Sequence, residues 1–393
     1  MKKCLVIGAG INGILTALYL RNAGYDVDII EHASKPATRA TFANGCQLSF
    51  SHTTPISISP SFFSRAFYKP ISTPKKSRQW LYEHKKSQSI FDTKFKILMD
   101  CANVSKEAFD DIFLSFPNLP DGVGHSSGTA FLFGNKKQFE WRKRMFDVQR
   151  TEQNLEYNAY SPSDAVELDD AFATAQNIKN VIFTPHDKTL DALKITQFVA
   201  DDLTKSGVRI FYNTQILQIQ QENNVVQSIA TSNRTFTGYD FYIYAGGASG
   251  LELLRGFSTF NYTGLHKVTG YSLTFDVSYS NHCPHINLID FTNKVVYSRH
   301  GNSLRVAGFF DITPPKNRSN RIKDLYNTAI STFPILKRQD VIHQWSEERV
   351  FSYDETPCVQ QVSKNFFVNT GHGHLGVTLS AGSAKKITSH CVI

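Results

Sequence analysis

The 393-residue sequence predicts an α/β (α+β) fold: a mostly parallel sheet, assembled from both ends of the chain, interrupted by an inserted antiparallel one. Three observations predict it. Lys2 to Glu31 spells strand, glycine turn, helix and strand; Asn365 to Ile393 spells strand, glycine turn and helix; and residues 266 to 311 alternate apolar with polar side chains.

Cys4-Leu5-Val6-Ile7 is a short apolar run with the β-branched bias of a buried parallel strand, and it enters Gly8-Ala9-Gly10-Ile11-Asn12-Gly13, a G-x-G-x-x-G turn. Gly8 allows the tight turn, Gly10 lets backbone approach a pyrophosphate, and Gly13 lets the next helix pack close to the strand. The diphosphate then sits on the free N–H groups of that helix. Gly24 ends the helix, and Val27 to Ile30 is a second strand that delivers Glu31, followed by His32, where a carboxylate accepts both ribose hydroxyls. An acid at this place disfavours a 2′-phosphate. The expected ligand is FAD or NAD on a Rossmann-like domain, not NADP.

Next comes a run rich in small residues, Arg39, Ala40, Thr41, Asn44, Gly45, Cys46, Gln47 and Leu48 among them, which suits backbone lying against a cofactor. Residues 50 to 80, with Phe62, Phe63, Phe67 and Tyr68, read as an irregular, partly buried excursion. Phe91 to Leu114 has helical periodicity, while Ala130 to Phe133 and Gln138 to Trp141 read as strands. Ser161 to Leu168 reads as a capped helix, and Asp191 to Thr204 as an amphipathic one with Leu193, Phe198, Val199 and Leu203 on one side. Strands at Val208 to Tyr212, Ile216 to Gln220, Val225 to Thr231 and Asp240 to Tyr244 return to the first sheet, bringing Ile216 and the Ala245-Gly246-Gly247-Ala248 loop to its cofactor edge.

Tyr271 to Phe275, Val295 to Ser298 and Leu304 to Gly308 make the antiparallel sheet, with a helix at Leu325 to Phe333. Phe366 to Val368 is the closing strand. Gly371-His372-Gly373-His374-Leu375-Gly376 then opens a helix from Val377 to Ser389. Its N–H groups and dipole face a second electron-rich target; with the pyrophosphate held at the other end, that target is a flavin ring. The expected division is an FAD-binding domain of residues 1–60, 180–262 and 345–393, and a substrate domain of 61–179 and 263–344.

Composition narrows the class. Hydrophobic residues make up 41%, with 30 Phe and 16 Tyr, enough for a large core. The net charge of +8 comes with clusters at Lys75-Lys76-Ser77-Arg78, Lys85-Lys86 and Lys136-Lys137, but no helix-turn-helix, zinc-finger or RNA-binding signature accompanies them. Nucleic acid is not expected; a solvated basic face is, with peripheral contact at the inner face of a membrane as the second reading. The run after Lys2-Lys3 is broken by glycines, so it is neither signal peptide nor membrane span. Six cysteines without a C-x-x-C pair argue against a disulfide framework or metal site, and a cytoplasmic location follows.

With both ends read, the chain resembles the FAD-dependent D-amino-acid oxidase superfamily, and within it the bacterial small-subunit-type D-amino-acid dehydrogenases. The resemblance rests on Val6 to Gly13 with Glu31, Ala40 to Asn44 with Gln47, Gly270-Tyr271-Ser272-Leu273, Arg305-Val306-Ala307-Gly308, Arg349 with Thr356-Pro357, and Asn369 to Gly373 with Gly376, Gly382 and Ser383. It implies that Thr41 to Gln47 line the pyrophosphate and flavin, and that Val208 to Gln218 and Ala245 to Ala248 cover the adenine. Gly371 to Gly376 would face the flavin pyrimidine edge, and Arg349 would pair with a substrate carboxylate. The implied reaction is oxidation of a D-amino acid to a 2-oxo acid and ammonia by hydride transfer from Cα to flavin N5, with a quinone or oxygen as electron acceptor.

Three departures stand out: Cys46 for the usual glycine, Glu355 within Asp354-Glu355-Thr356-Pro357 where glycine is usual, and Val350 where the family has proline. They motivate two alternatives, an oxidase of glycine- or sarcosine-like secondary amines or of a modified amino acid, and a flavoprotein subunit of a larger complex. Besides Arg349, Tyr271 near the substrate cleft and His372 as a hydrogen-bond partner of the flavin are candidates, and each candidate side chain also has a plainer role. Arg349 can pair on the surface with Glu347 or Glu348, His372 can fix its own turn, Tyr271 can be core, and Cys46 can be a small residue holding the flavin loop without a covalent link. His52, just after that loop, is the remaining cleft candidate.

Overall fold

The first apolar run becomes the centre of a six-stranded sheet. In a computed structural model, residues 1–56, 74–120, 123–126, 128–280, 282–315 and 317–391 are described. The strand Lys3–Ile7 lies between Asp26–Ile30 and Phe241–Tyr244; Arg209–Phe211 extends one side, Phe366–Thr370 and Cys358–Ser363 the other. All neighbours run parallel except Cys358–Ser363 at the edge. Because side chains alternate across a strand, Cys4 and Val6 enter the core beneath the helices, and Leu5 and Ile7 the core on the opposite face. Fully buried on both faces, the strand reads as one continuous apolar run.

The inserted sheet has eight strands in the order Val341–Ser352, Leu265–Asp276, Ser303–Asp311, Val295–His300, Asn287–Asp290, Thr129–Phe133, Asn180–Thr184 and Asn158–Tyr160. It is antiparallel apart from one parallel pair, Asn287–Asp290 beside Thr129–Phe133. Two boundaries need correction. Asn180–Thr184, expected in the cofactor domain, belongs to this sheet, and the expected cut before residue 345 falls inside the continuous strand Val341–Ser352. Arg349 therefore stands on the inserted sheet, opposite Val268.

Three local expectations fail. Ile216–Glu222 and Val225–Thr231, expected to return to the first sheet, form with Thr235–Thr237 a three-stranded antiparallel sheet of their own. Gln138 to Trp141 is helix, not strand: Asn135 accepts the Gln138 N–H and starts a helix over Lys136–Gln153, whose Arg142, Phe146 and Gln149 recur at helical spacing on the buried face. Ser161 to Leu168 closes only a short 3₁₀ turn, Asp164–Glu167. The helices at Phe91–Ser115, Ala192–Lys205, Ser319–Thr332 and Ser380–Cys391 stand near their expected places. Of the excursion, Phe62, Phe63, Phe67 and Tyr68 lie outside the described residues, but its end is the helix Lys75–Ser87. Among the described residues, no helix is long and apolar enough to cross a membrane.

Glu355, the unusual residue of the Asp354-to-Pro357 turn, ties this helical region to the rest. It has φ +67°, a value that favours glycine, and its carboxylate is buried. It accepts from Lys94 Nζ at 3.1 Å and from the Ile56 N–H at 2.5 Å. Removing one partner of a buried pair leaves the other charge uncompensated. Lys94→Met is therefore expected to cost about 3 kcal/mol or more in urea unfolding. Adding Glu355→Gly should restore at least half of that loss, since it removes both the orphaned carboxylate and the Cβ at positive φ; a double variant no more stable than Lys94→Met would refute this account.

Candidate active site

The glycine turn is a close backbone approach. A Cβ at Gly13 would lie 1.9 Å from the Gly8 carbonyl oxygen, so only glycine lets the helix Ile11–Asn22 start where it does. Gly10, its N-cap, offers no side chain to cap the first turn; instead Thr41 Oγ1 accepts the Ile11 N–H at 3.2 Å. The start of the helix opens into a cavity of about 430 Å³, also lined by Ile7, Gly8, Asn12, Arg39, Ile216 and Gly246. Glu31 stands on its wall. Its Oε2 accepts the Ala9 N–H at 2.7 Å, and its Oε1 meets the Ala33 N–H at 2.9 Å and His32 Nδ1 at 2.8 Å. Burial pushes its pKa up, but the bonds from His32, Ala33 and Ala9 prevail and hold it below the ordinary carboxylate value.

A second cavity of about 190 Å³ adjoins the first and shares Ile11, Asn12, Ala40, Thr41, Ala245 and Gly247 with it. One wall is the loop Asn44-Gly45-Cys46-Gln47, the opposite wall the turn Gly371 to Gly376. The loop is fastened from the inserted sheet: Ser272 Oγ donates to the Ala43 carbonyl at 2.8 Å, and Arg305 Nη1 reaches Cys46 Sγ at 2.9 Å. Cys46 has φ +51°, which explains why glycine suits this position. Burial pushes its thiol pKa up against the pull of Arg305, so it stays a neutral packing group. Asn12 links the two chain ends, donating to the Gly376 carbonyl at 3.4 Å.

Arg349 lines the second cavity beside His52 and His374. Its surface-pairing alternative is not what forms: Glu347 pairs with Arg39 at 3.1 Å, and Glu348 lies 4.0 Å from Lys267. Among the described residues, Arg349 Nε is shielded from solvent without a hydrogen-bond partner, and burial pulls the guanidinium pKa down to about 10. Gly270 makes room for it; a Cβ there would lie 2.2 Å from Arg349 Nη2. His52 and His374 meet edge to face at 5.6 Å, and both are held neutral, chiefly by burial.

Tyr271 and Leu48, expected at the site, lie outside its cavities. Tyr271 is fully buried and donates to Asp311 Oδ2 at 2.8 Å, an acid that Arg321 also grips, because its position on the strand points it into the inserted sheet's own core. Leu48 is likewise core, one residue beyond the lining loop. His372 lines the cavity, but its Nε2 is 2.9 Å from Ser383 Oγ and so fixes the turn to the last helix. Conversely, Lys294, Val296 and Phe310 line the site although the sequence assigns them no role there. Period-two alternation names the face of a strand, not what that face looks onto.

Two adjoining cavities, one over a glycine-opened helix start with Glu31 on its wall and one between two loops with half-buried Arg349 on its wall, form a single elongated cleft. The chain belongs to the DAO family of FAD dependent oxidoreductases, whose model matches residues 3–390. D-amino acid dehydrogenases from Vibrio atlanticus (strain LGP32) and Neisseria meningitidis serogroup A / serotype 4A (strain DSM 15465 / Z2491) are 26% and 27% identical, over 98% of this chain and 94% of each relative. Glycine oxidase from Bacillus cereus ATCC 14579 superposes with a TM-score of 0.76 at 19% identity, over 99% of this chain and 94% of that one. L-proline dehydrogenase from P. horikoshii gives 0.75 at 14%, over 99% and 93%; at such identities the likeness is one of fold.

FAD fits the residues present. Asn12 Oδ1 and Gln47 Oε1 are shielded acceptors without partners among the described residues, and the helix start, whose N-cap glycine brings no side chain of its own, faces the larger cavity. Gly10→Val is expected to give colourless protein with an unchanged far-UV spectrum; a yellow, fully loaded variant would remove the pyrophosphate assignment. Stability should also respond to acid. His84 and His372, each with a pKa pushed down from 6.5 to about 4 chiefly by burial, are neutral when folded and take up protons on unfolding. Their stabilisation is complete above about pH 6.5 and is lost toward pH 4, by up to roughly 3 kcal/mol per pH unit. Denaturation midpoints that stay flat across that window would contradict it.

Proposed function

We propose that this chain oxidises the C–N bond of a D-amino acid, yielding the imino acid, which water converts to a 2-oxo acid and ammonia. The observation that carries this reading is Arg349, which lines the cavity between the Gly371-to-Gly376 turn and the Asn44-to-Gln47 loop and whose Nε is shielded from solvent without a hydrogen-bond partner among the described residues. A planar guanidinium holds a carboxylate through two parallel hydrogen bonds and so sets orientation as well as position. The names of the relatives at 26% and 27% identity support the same substrate class. Bound FAD supplies the two-electron acceptor.

The chain's own residues do the rest. Arg349 anchors the carboxylate, and Gly270 keeps its path open. Arg349 and Lys294, both lining the cavity, disfavour a further positive charge, so the substrate amine is pressed toward its neutral, reactive form. His52 and His374, neutral and packed on Phe131, Phe310 and Phe351, keep water from the reacting carbon. A side recess of about 80 Å³ beside the cleft favours a substrate with a side chain over glycine. Electrons leave to a quinone or to oxygen. Exposed Lys75, Arg78, Lys85 and Lys86 support peripheral approach to an anionic membrane that carries a quinone.

The decisive measurement is the visible spectrum of anaerobic holoenzyme as D- and L-amino acids, glycine and proline are added singly. D-amino acids alone should bleach the flavin band, and admitting air then separates oxidase from quinone-linked enzyme. A flavin bleached only by secondary amines, or by none of these compounds, would displace this reading in favour of the amine oxidase or the subunit of a complex. Arg349→Ala should keep its flavin and raise KM at least tenfold, about 1.4 kcal/mol if kcat holds. Gly270→Ala, which crowds that guanidinium, should raise KM in the same direction; unchanged kinetics in both variants would sink the anchor role.

A further inference from the structure

The cleft continues past Arg349. The side recess shares His52, Lys294, Val296, Phe310 and His374 with the cavity that holds the arginine. Phe310 is the partition: the Arg349 guanidinium lies 5.6 Å from its ring centroid, and the same phenylalanine lines the recess. Ile56, Ile289 and Val295 supply aliphatic walls.

Two cations lie in its lining or against it. Lys294, at φ +60° on the turn between two strands of the inserted sheet, lines both cavities, with Nζ 3.9 Å from the Phe291 ring centroid. Arg142 is completely buried nearby, its guanidinium 5.3 Å from the ring centroid of Phe131 and 5.9 Å from that of Phe291; it donates to Thr54 Oγ1 at 2.6 Å and to the Ser51 carbonyl at 2.7 Å. Asp290 is the acid among the described lining residues; its charge acts on Lys294, as that of Asp187 acts on Arg142, and its carboxylate is held by its own turn. It accepts from the N–H groups of Thr292 at 3.0 Å and Asn293 at 2.8 Å, from Asn293 Nδ2 at 2.7 Å and from Thr332 Oγ1 at 3.1 Å. The two histidines at the mouth are neutral.

We propose that Lys294 is a specificity-determining residue and that the recess takes the side chain of an acidic amino acid, with the distal carboxylate meeting the Lys294 ammonium. The inference rests on the amino-acid reading of the cleft. Aliphatic walls suit the methylenes of such a side chain. A carboxylate leaving water for this recess needs a cation at its end, and Lys294 is there. A lysine or arginine side chain would bring a third positive charge to Lys294 and Arg142, and is disfavoured.

The test uses holoenzyme and two readouts. The first is kcat/KM for D-glutamate, D-glutamine, D-methionine and D-lysine. The second is the dissociation constant of the unreactive acids glutarate and pentanoate, read from their perturbation of the flavin band. Wild type should prefer D-glutamate to D-glutamine by at least tenfold and bind glutarate at least tenfold more tightly than pentanoate. Lys294→Met should lower the D-glutamate to D-methionine ratio at least tenfold, while Lys294→Arg should keep it. Turnover of D-lysine equal to that of D-glutamate would overturn the proposal, as would a loss in Lys294→Met that is proportional across all substrates. Selective binding of glutarate without reduction by any amino acid would uphold the recess and remove the amino-acid reading; reduction by amino acids without charge preference would do the reverse.

Discussion

Everything in this molecule depends on one contact between backbone atoms. With 1.9 Å between the Gly8 oxygen and the place where a Gly13 Cβ would stand, no other residue lets the first helix start directly over the first strand. That placement aims the helix N-terminus at the larger cavity. It also brings Asn12 to the Gly376 carbonyl and Thr16 to Asn369, joining the two ends of the chain. A strand from each end of the chain, Lys3–Ile7 and Phe366–Thr370, flanks Phe241–Tyr244 in parallel, and the cavities open beside them.

The inserted sheet is a second wall for that site, not an independent module beside it. Its hydroxyl at Ser272 and guanidinium at Arg305 grip the loop Ala43 to Cys46, and its edge strand carries Arg349 across to the cavity. The departures from the family pattern follow the same logic. Cys46 and Glu355 both occupy left-handed backbone where glycine is unstrained, and each has found a cation, Arg305 or Lys94. Backbone strain at these two places is thus offset by polar contacts a glycine cannot make.

Much of this was legible in the residues. Spacing of glycines and a terminal acid identify a dinucleotide unit because each glycine answers a steric demand local to the turn. Almost every expected cofactor residue lines one of the two cavities; Gly13 acts through packing, and Leu48 sits one place too far along its strand. Gln138 to Trp141 was misread because alternation over four residues also fits one helical turn, and the Asn135 cap decides between them. Tyr271 and Arg349 lie on paired strands of one sheet, yet only Arg349 reaches the cleft, Tyr271 having Asp311 and Arg321 in the sheet's own core.

By itself the sequence determined the cofactor-binding strand, turn and helix at each end, since these depend on neighbours within a few residues of one another. It determined the inserted antiparallel sheet through its alternation. Only the tertiary structure decided which side chains of that sheet meet the cofactor loop. It alone ran the Arg349 strand across the expected domain boundary, and it alone gathered Arg142 and Lys294 near one recess. Those groupings join residues more than a hundred positions apart, and they depend on register and sheet order, which local pattern does not encode.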